Sequence, residues 1–515
     1  MCSLVGIVKI VVVLAYVAMM LGIGYWSMRR TRNVGDFFIG GRTIGPWISA
    51  MAYGTTYFSA VVFVGFAGKL GWAFGPQVLW IAAGNAIIGT YLAWRMLAIP
   101  TREMTERLDA ITMPEFLEAR YGLPWLRPLS ALVVFVFLVP YSASVYQGLG
   151  HLFDANMGIG YVPAIIFMAG ITGVYLVMGG YFAVTTTDFI QGLMQVFGVT
   201  FMILLLAQAT GYGVIGAATS LSGAENAPAL APNPDALFPG WVLLISLVFM
   251  TSVGPWGLPQ MVQKFYSIKS RHVVQRGMII ATAFSVLIAF GAYYCGSLSH
   301  HFYASGADLP QGPNGPAFDK IVPEMLTAHT PAWFSVVILL VVLAASMSTL
   351  ASLVLVSSAA IAVDLFHARD RHDKSSKRGL LLMRALCGLF VALSVIIAAT
   401  RPAGIVDLMS MSWGALAGAF IGPYVWGVFS RRTTAAGGAA GFILGLCSAV
   451  VLFYVWGVKN SPIAATTAMV ISLVTVPLIS LVTPRLPTAL VAKAFDRTQE
   501  AETVAENAAN QEVLQ

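Results

Sequence analysis

The feature that most constrains this chain is the recurrence of apolar runs long enough to cross a membrane. A helix needs about 20 predominantly apolar residues to span the hydrocarbon core. The sequence supplies thirteen such runs, at about 6–28, 46–70, 74–99, 125–151, 160–181, 186–209, 239–262, 275–298, 332–364, 379–400, 404–429, 434–457 and 462–483. Only 10% of the residues are charged and the mean hydropathy is +0.80, whereas soluble domains carry about 25% charged residues. The expectation is an all-α integral membrane protein, with residues 1–483 forming one transmembrane domain. The first run is too long for a signal-peptide core, and Arg29-Arg30 follows it rather than preceding it, so it is read as a span.

The net charge of +7 looks at first like a nucleic-acid signal, but the charges lie in the loops between runs. With thirteen spans and the N-terminus outside, 24 of the 29 lysines and arginines fall on the inner side. Only Lys9, Lys69, Lys320, Arg401 and Lys459 fall outside. Positive charge is retained on the cytoplasmic side of membrane proteins, so the asymmetry predicts an inner-membrane protein with a cytoplasmic C-terminus. The lipid bilayer is its surroundings and nucleic acid is not a partner. Two long outer loops, 210–238 and 299–331, are poor in basic residues. The tail 484–515 turns polar and acidic and reads as a partly disordered cytoplasmic extension. The cysteines Cys2, Cys295, Cys387 and Cys447 show neither metal-ligand spacing nor a disulfide framework.

Two spans are not ordinary helices. The second reads Ser49-Ala-Met-Ala-Tyr-Gly-Thr-Thr-Tyr-Phe-Ser-Ala60, with Gly54 beside Thr55, Thr56, Tyr57 and Ser59 at mid-depth. The seventh reads Thr251-Ser-Val-Gly-Pro-Trp-Gly-Leu-Pro259, too rich in proline and glycine for an unbroken helix. Irregular backbone at membrane depth is tolerated only against protein or a wet cavity. Paired interruptions five spans apart suit two inverted five-helix repeats, about 46–209 and 239–429, and mark a transporter's midplane site.

Two further places hold polar groups in apolar surroundings. In the ninth span, Ser348 and Ser352 are spaced i, i+4 and share a face, and Thr349 lies beside Ser348. Such hydroxyls either bond back to their own helix or a neighbour, or serve a hard cation such as sodium. Asp188, at the start of the sixth span, either caps a helix or faces the interior as a functional acid.

Together these segments resemble the sodium/solute symporter family, over about residues 10–483. The resemblance rests on Asp36-Phe-Phe-Ile-Gly-Gly-Arg42, Gly179-Gly-Tyr-Phe-Ala-Val with Thr187-Asp-Phe-Ile-Gln-Gly192, and Trp256-Gly-Leu-Pro-Gln260. It continues in Met347-Ser-Thr with Val356-Ser-Ser and Asp364-Leu, and in Trp413-Gly-Ala-Leu-Ala-Gly-Ala-Phe with Gly422-Pro. It implies a LeuT-like 5+5 inverted-repeat core working by alternating access, with Na+ as the coupling ion. Carried over by position, the sodium ligands are the carbonyls of Thr55, Phe58 and Ala345 and the hydroxyls of Ser348 and Thr349. Asp188 and Ser352 match positions that serve a second sodium or a relay in some members, while the remaining serine position is Ala351.

On the solute side, the resemblance points to Tyr57, Ser59, Gln77, Asn85, Trp256, Gln260, Ser412 and Trp413 as cavity candidates. Proline carriers have an Asp where this chain has Tyr57, and Thr56-Tyr-Phe-Ser-Ala is closer to the pantothenate-type branch. Aromatic walls with few amides favour a small, partly apolar solute over a sugar: a carboxylate, a vitamin such as pantothenate, or an amino acid. No buried basic residue stands out as a partner for a carboxylate, and Lys69 reads as an interfacial lysine. The expected function is sodium-coupled uptake. The alternatives are a proton-coupled carrier on the same fold and a non-transporting sensor. No Ser-His-Asp triad, HExxH or paired-acid motif lies in the spans, so an enzyme is not expected.

Overall fold

The computed structural model describes residues 4–28, 38, 42–221, 227–231, 233, 235–312, 315–366 and 377–496. Nearly all of it is helix. Among the described residues the one sheet is a ribbon in which Gln311–Gly312 runs antiparallel to Gly315–Pro316. Ten helices are long and apolar enough to span a membrane, and an eleventh span is counted if the bent pair Pro46–Tyr57 and Val61–Met96 is taken as one. The expected thirteen are reached only if that pair is divided again and the shorter apolar helix Tyr161–Tyr175 also crosses. The backbone marks both places. Gly75 (φ 51°, ψ −136°) and Gly180 (φ 56°, ψ −152°) interrupt otherwise continuous helix in a conformation open to glycine and strained for other residues.

Burial separates a centre from a periphery. Ile405–Phe429 and Phe334–Leu365 have 89% and 83% of their most apolar window buried, against 17% for Gly6–Ser27. The outer helices turn apolar side chains outward, and Trp47, Trp80, Trp241 and Trp333 are exposed among them. That is how a chain solvated by lipid presents itself, with tryptophan favoured near the headgroups.

Both interruptions appear where the sequence puts them. The helix Pro46–Tyr57 stops at Phe58, whose backbone is extended (φ −104°, ψ 94°), and resumes as a π-helix at Val61–Phe66, bent by 47°. The helix Gly240–Val253 gives way to one 3-10 turn, Gly254–Trp256, then to extended Leu258, and restarts as Pro259–Tyr266. Proline explains the second break: a continuous helix would drive the ring of Pro259 into the carbonyl of Pro255 and leave both positions without a donor.

Long-range bonds sort the loops into two ends. At one end Arg42 donates to the Thr105 hydroxyl and to the Tyr266 and Ala110 carbonyls, and Ile44 pairs with Ile268 in a parallel bridge. Arg271 meets Glu103 there, and Arg107 reaches the carbonyl of Ala494. At the other end Lys9 donates to the Asn156 carbonyl, Arg401 lies over the Tyr161 ring, and Lys69 pairs with Asp407. Lys69 is therefore an ion-pair partner rather than a free interfacial lysine, and its partner lies at the head of Ile405–Phe429. Helix Thr488–Phe495 docks on the first end, where Arg120 and Arg431 lie over the Phe495 ring.

Candidate functional site

The break at Phe58 creates the first part of the site. Ending the helix at Tyr57 takes the carbonyls of its last turn out of the i→i+4 ladder, and the ninth-span helix Phe334–Ala359 supplies their partners. Ser348 donates to the Thr55 carbonyl at 2.9 Å and to Ala345 at 3.1 Å. Thr349 donates to Thr55 at 3.1 Å, Thr56 at 3.3 Å and Ala345 at 3.2 Å. All these groups are buried. Four of the five expected sodium ligands, Thr55, Ala345, Ser348 and Thr349, thus converge. Phe58, the fifth, is the buried residue of the break itself, its amide bonded back to Gly54. A hydroxyl that turns its proton aside offers a lone pair, so neutral oxygens of this kind have the chemistry a hard cation takes.

About one helical turn further on, the structure corrects the sequence reading. Lys264 is counted above among the loop charges, yet it lies in Pro259–Tyr266, 2% exposed. Its ammonium donates to Ser352 at 2.9 Å and pairs with Asp188 at 3.4 Å. Ser352 also shares a 3.0 Å hydrogen bond with Thr56. The carboxylate that this buried lysine meets is the protein's own, so the expectation about a partner for a solute carboxylate is untouched by it. Asp188 caps nothing: it lies well inside helical backbone that runs on to Ala209, and it is fully buried. A signal for Lys264 was present in the sequence, because Pro259 restarts a helix and carries Lys264 with the buried face of Gln260, Met261 and Gln263.

The solute-side candidates fall into groups. The Tyr57 hydroxyl donates to the Thr251 carbonyl, and its ring stacks on Phe58 with centroids 4.5 Å apart. Asn85 opens a π-helical stretch, Asn85–Leu92, and accepts from Ser252 at 3.3 Å. Trp256 donates to the Ile88 carbonyl at 3.1 Å. The first bond joins the two broken helices to each other and the other two tie the π-helical stretch to the second of them; π-helical insertions often mark functional sites. Ser412 donates to Phe137, and Trp413 meets Tyr141 edge to face at 5.8 Å. Both amide atoms of Gln260 are buried without a hydrogen-bond partner among the described residues. Ser59 is buried and accepts from the nearby Val61 amide. Gln77 is not brought to this group: it is exposed on the short turn Gly75–Val78.

Comparison with known proteins agrees with this geometry. The model of the sodium:solute symporter family matches residues 37–445. The sodium/proline symporter of Escherichia coli (strain K12) is 28% identical over 441 residues, 85% of this chain and 86% of that protein. The high-affinity proline transporter PutP of Bacillus subtilis (strain 168) is 29% identical over 439 residues, 84% of this chain and 89% of that one. A sodium-coupled sialic acid symporter, solved in a substrate-bound outward-open state, superposes with a TM-score of 0.74. That match covers 93% of this chain and 98% of the other at 18% identity. It establishes a shared LeuT-like fold. The chain belongs to the sodium:solute symporter family, and is a membrane transporter coupled to sodium rather than an enzyme.

Proposed function

We propose that the protein takes up an amino acid or a similarly small carboxylate together with sodium, by alternating access between the two ends of the helix bundle. The observation that carries this reading is the convergence of Ser348 and Thr349 on the Thr55 carbonyl. It sets five neutral oxygen contacts around the break in one helix, with no carboxylate in the cluster. On this reading Thr55, Phe58, Ala345, Ser348 and Thr349 hold the ion, and inverted repeats of about 46–209 and 239–429 move around it. The chain crosses the membrane thirteen times, with the N-terminus outside and the C-terminus inside.

Proline is the first solute to test, because the relatives named above are proline carriers by their printed names. Tyr57 distinguishes this site. Its hydroxyl is already engaged by Thr251, so it presents a ring rather than a charge to the solute. Gln260 supplies a free amide to a polar group of the solute, and Trp256 and Trp413 supply aromatic walls. The test is uptake into proteoliposomes of labelled proline, and then of a panel of small carboxylates including pantothenate. An inward sodium gradient should drive accumulation that a proton gradient alone does not. Accumulation of no member of the panel under a sodium gradient would defeat the reading.

A further inference from the structure

We propose that the ammonium group of Lys264 is a built-in cation, occupying a second cation site formed by Asp188, Ser352 and Thr56, so that the protein binds one sodium ion where its oxygen groups would otherwise hold two. The inference rests on the sodium-coupled reading above and extends it to stoichiometry.

The site is built from three separate elements. Asp188 comes from the helix that follows Gly180, Ser352 from Phe334–Ala359, and Thr56 from the first broken helix. Each is at most 1% exposed. A carboxylate and two hydroxyls in a dry pocket would attract a small hard cation, because a buried unpaired carboxylate is costly. In this chain the charge arrives on a side chain instead. Lys264 is anchored by the second broken helix, donates to Ser352 at 2.9 Å and lies 3.4 Å from Asp188. Its ammonium is 5.7 Å from the centroid of the Tyr181 ring, within reach of a cation–π contact. The other carboxylate oxygen of Asp188 is buried with no hydrogen-bond partner among the described residues. Lys264 is therefore the one cation seen to neutralise it there.

The two cation positions are adjacent and are linked through Thr56. Ser348 and Ser352 are four residues apart on one face, about 6 Å along the helix axis. The Thr56 hydroxyl meets Ser352, while its carbonyl meets Thr349. A mobile second ion here would need both the carboxylate and the hydroxyls, and the lysine already uses them. The pair Lys264–Asp188 is neutral as a unit, so it leaves the neighbouring Ser348–Thr349 cluster free to take its own monovalent ion without a large opposing charge.

Equilibrium binding of radioactive sodium to the purified full-length protein tests this without knowledge of the solute. The wild type should bind one ion per molecule. K264M should bind two, the second lost again in the double variant D188N/K264M, which removes both charges and returns the number to one. Should K264M fail to fold, K264A takes its place with the same expected count of two. Two ions bound by the wild type, one bound by folded K264M, or two bound by the double variant overturns the proposal. A wild type that binds no sodium defeats the sodium-coupled reading itself, which separates the two failures.

Discussion

Replacing Ser348 with alanine removes one of two hydroxyls that meet the Thr55 carbonyl, the other being Thr349 at 3.1 Å. The carbonyl keeps a donor, so the fold loses little. The loss falls on the ion, which gives up one of its oxygen ligands in a site too dry to replace it. A buried polar partner left unmatched costs about 1–3 kcal/mol, and each 1.4 kcal/mol is about tenfold in affinity. Ser348→Ala should therefore require about ten- to a hundredfold more sodium for half-maximal uptake, and Thr349→Ala the same. Linkage makes the coupling reciprocal: weaker sodium binding weakens solute binding by the coupled amount, and high sodium partly restores it. The double variant strips both donors from Thr55, so its stability loss should exceed the sum of the single losses. The assay is initial uptake rate against sodium concentration in membrane vesicles, with Ser357→Ala as control, because that hydroxyl bonds back to the Val354 carbonyl of its own helix. If both single variants fold, reach the membrane and keep normal sodium dependence, the ninth-span hydroxyls are packing groups and the sodium site is misplaced.

Asp188→Asn leaves Lys264 buried without its counter-charge, which costs about 3–5 kcal/mol; thermal melting should show a large loss of stability together with a raised sodium requirement, and an unchanged melting point would deny the ion pair. Lys69→Met should cost no more than about 1 kcal/mol, because the lysine of the Lys69–Asp407 pair keeps 31% of its side chain exposed, and the difference from wild type should shrink in high salt. Burial pushes the carboxyl of Asp319, which accepts from the Ile405 amide, from its ordinary 3.8 up to about 6. A raised value favours the protonated form in the folded state, so this contribution is full below about pH 4 and is lost as pH rises through about 6; melting curves of wild type should fall relative to Asp319→Asn between about pH 4 and 6.5 and run parallel above that, and parallel curves throughout would contradict the assignment. Cysteine placed at Ala307 should react with an impermeant reagent outside intact cells while cysteine at Lys269 should not, and labelling of both would overturn the two-ended topology.

Much of this site was legible because its physics is local. The prolines of the Gly254-Pro-Trp-Gly-Leu-Pro259 run cannot continue a helix, and the structure breaks the helix within that run, while the first helix runs through Gly54 and breaks four residues later at Phe58. The i, i+4 spacing puts Ser348 and Ser352 on one face whatever surrounds them. Lys264 was missed because hydropathy assigns basic residues at the edge of a run to a loop, and nothing local reveals an acid 76 positions earlier. Lys69 and Asp407 are 338 positions apart, and only the packed bundle joins them. Gln77 was grouped with the cavity on the assumption that the third span begins before it, but the turn at Gly75 leaves it exposed. The turns at Gly75 and Gly180 need a positive φ, which sequence permits at any glycine and so does not locate. Of the loops 29–45 and 365–380, which the thirteen-span reading places in the cytoplasm, residues 29–37, 39–41 and 367–376 lie outside the described residues.

The most direct measurement is the thermal stability of the purified protein in sodium, potassium and choline salts, for wild type and for the Ser348→Ala/Thr349→Ala variant. An ion that binds only the folded state stabilises it by about 2.7 kcal/mol at a hundred times its dissociation constant. Wild type should melt higher in sodium than in the other two salts, and the variant should lose most of that difference at the same concentration. An equal sodium response in both proteins, or a wild type indifferent to sodium, would contradict a sodium ion held between the broken second span and the ninth.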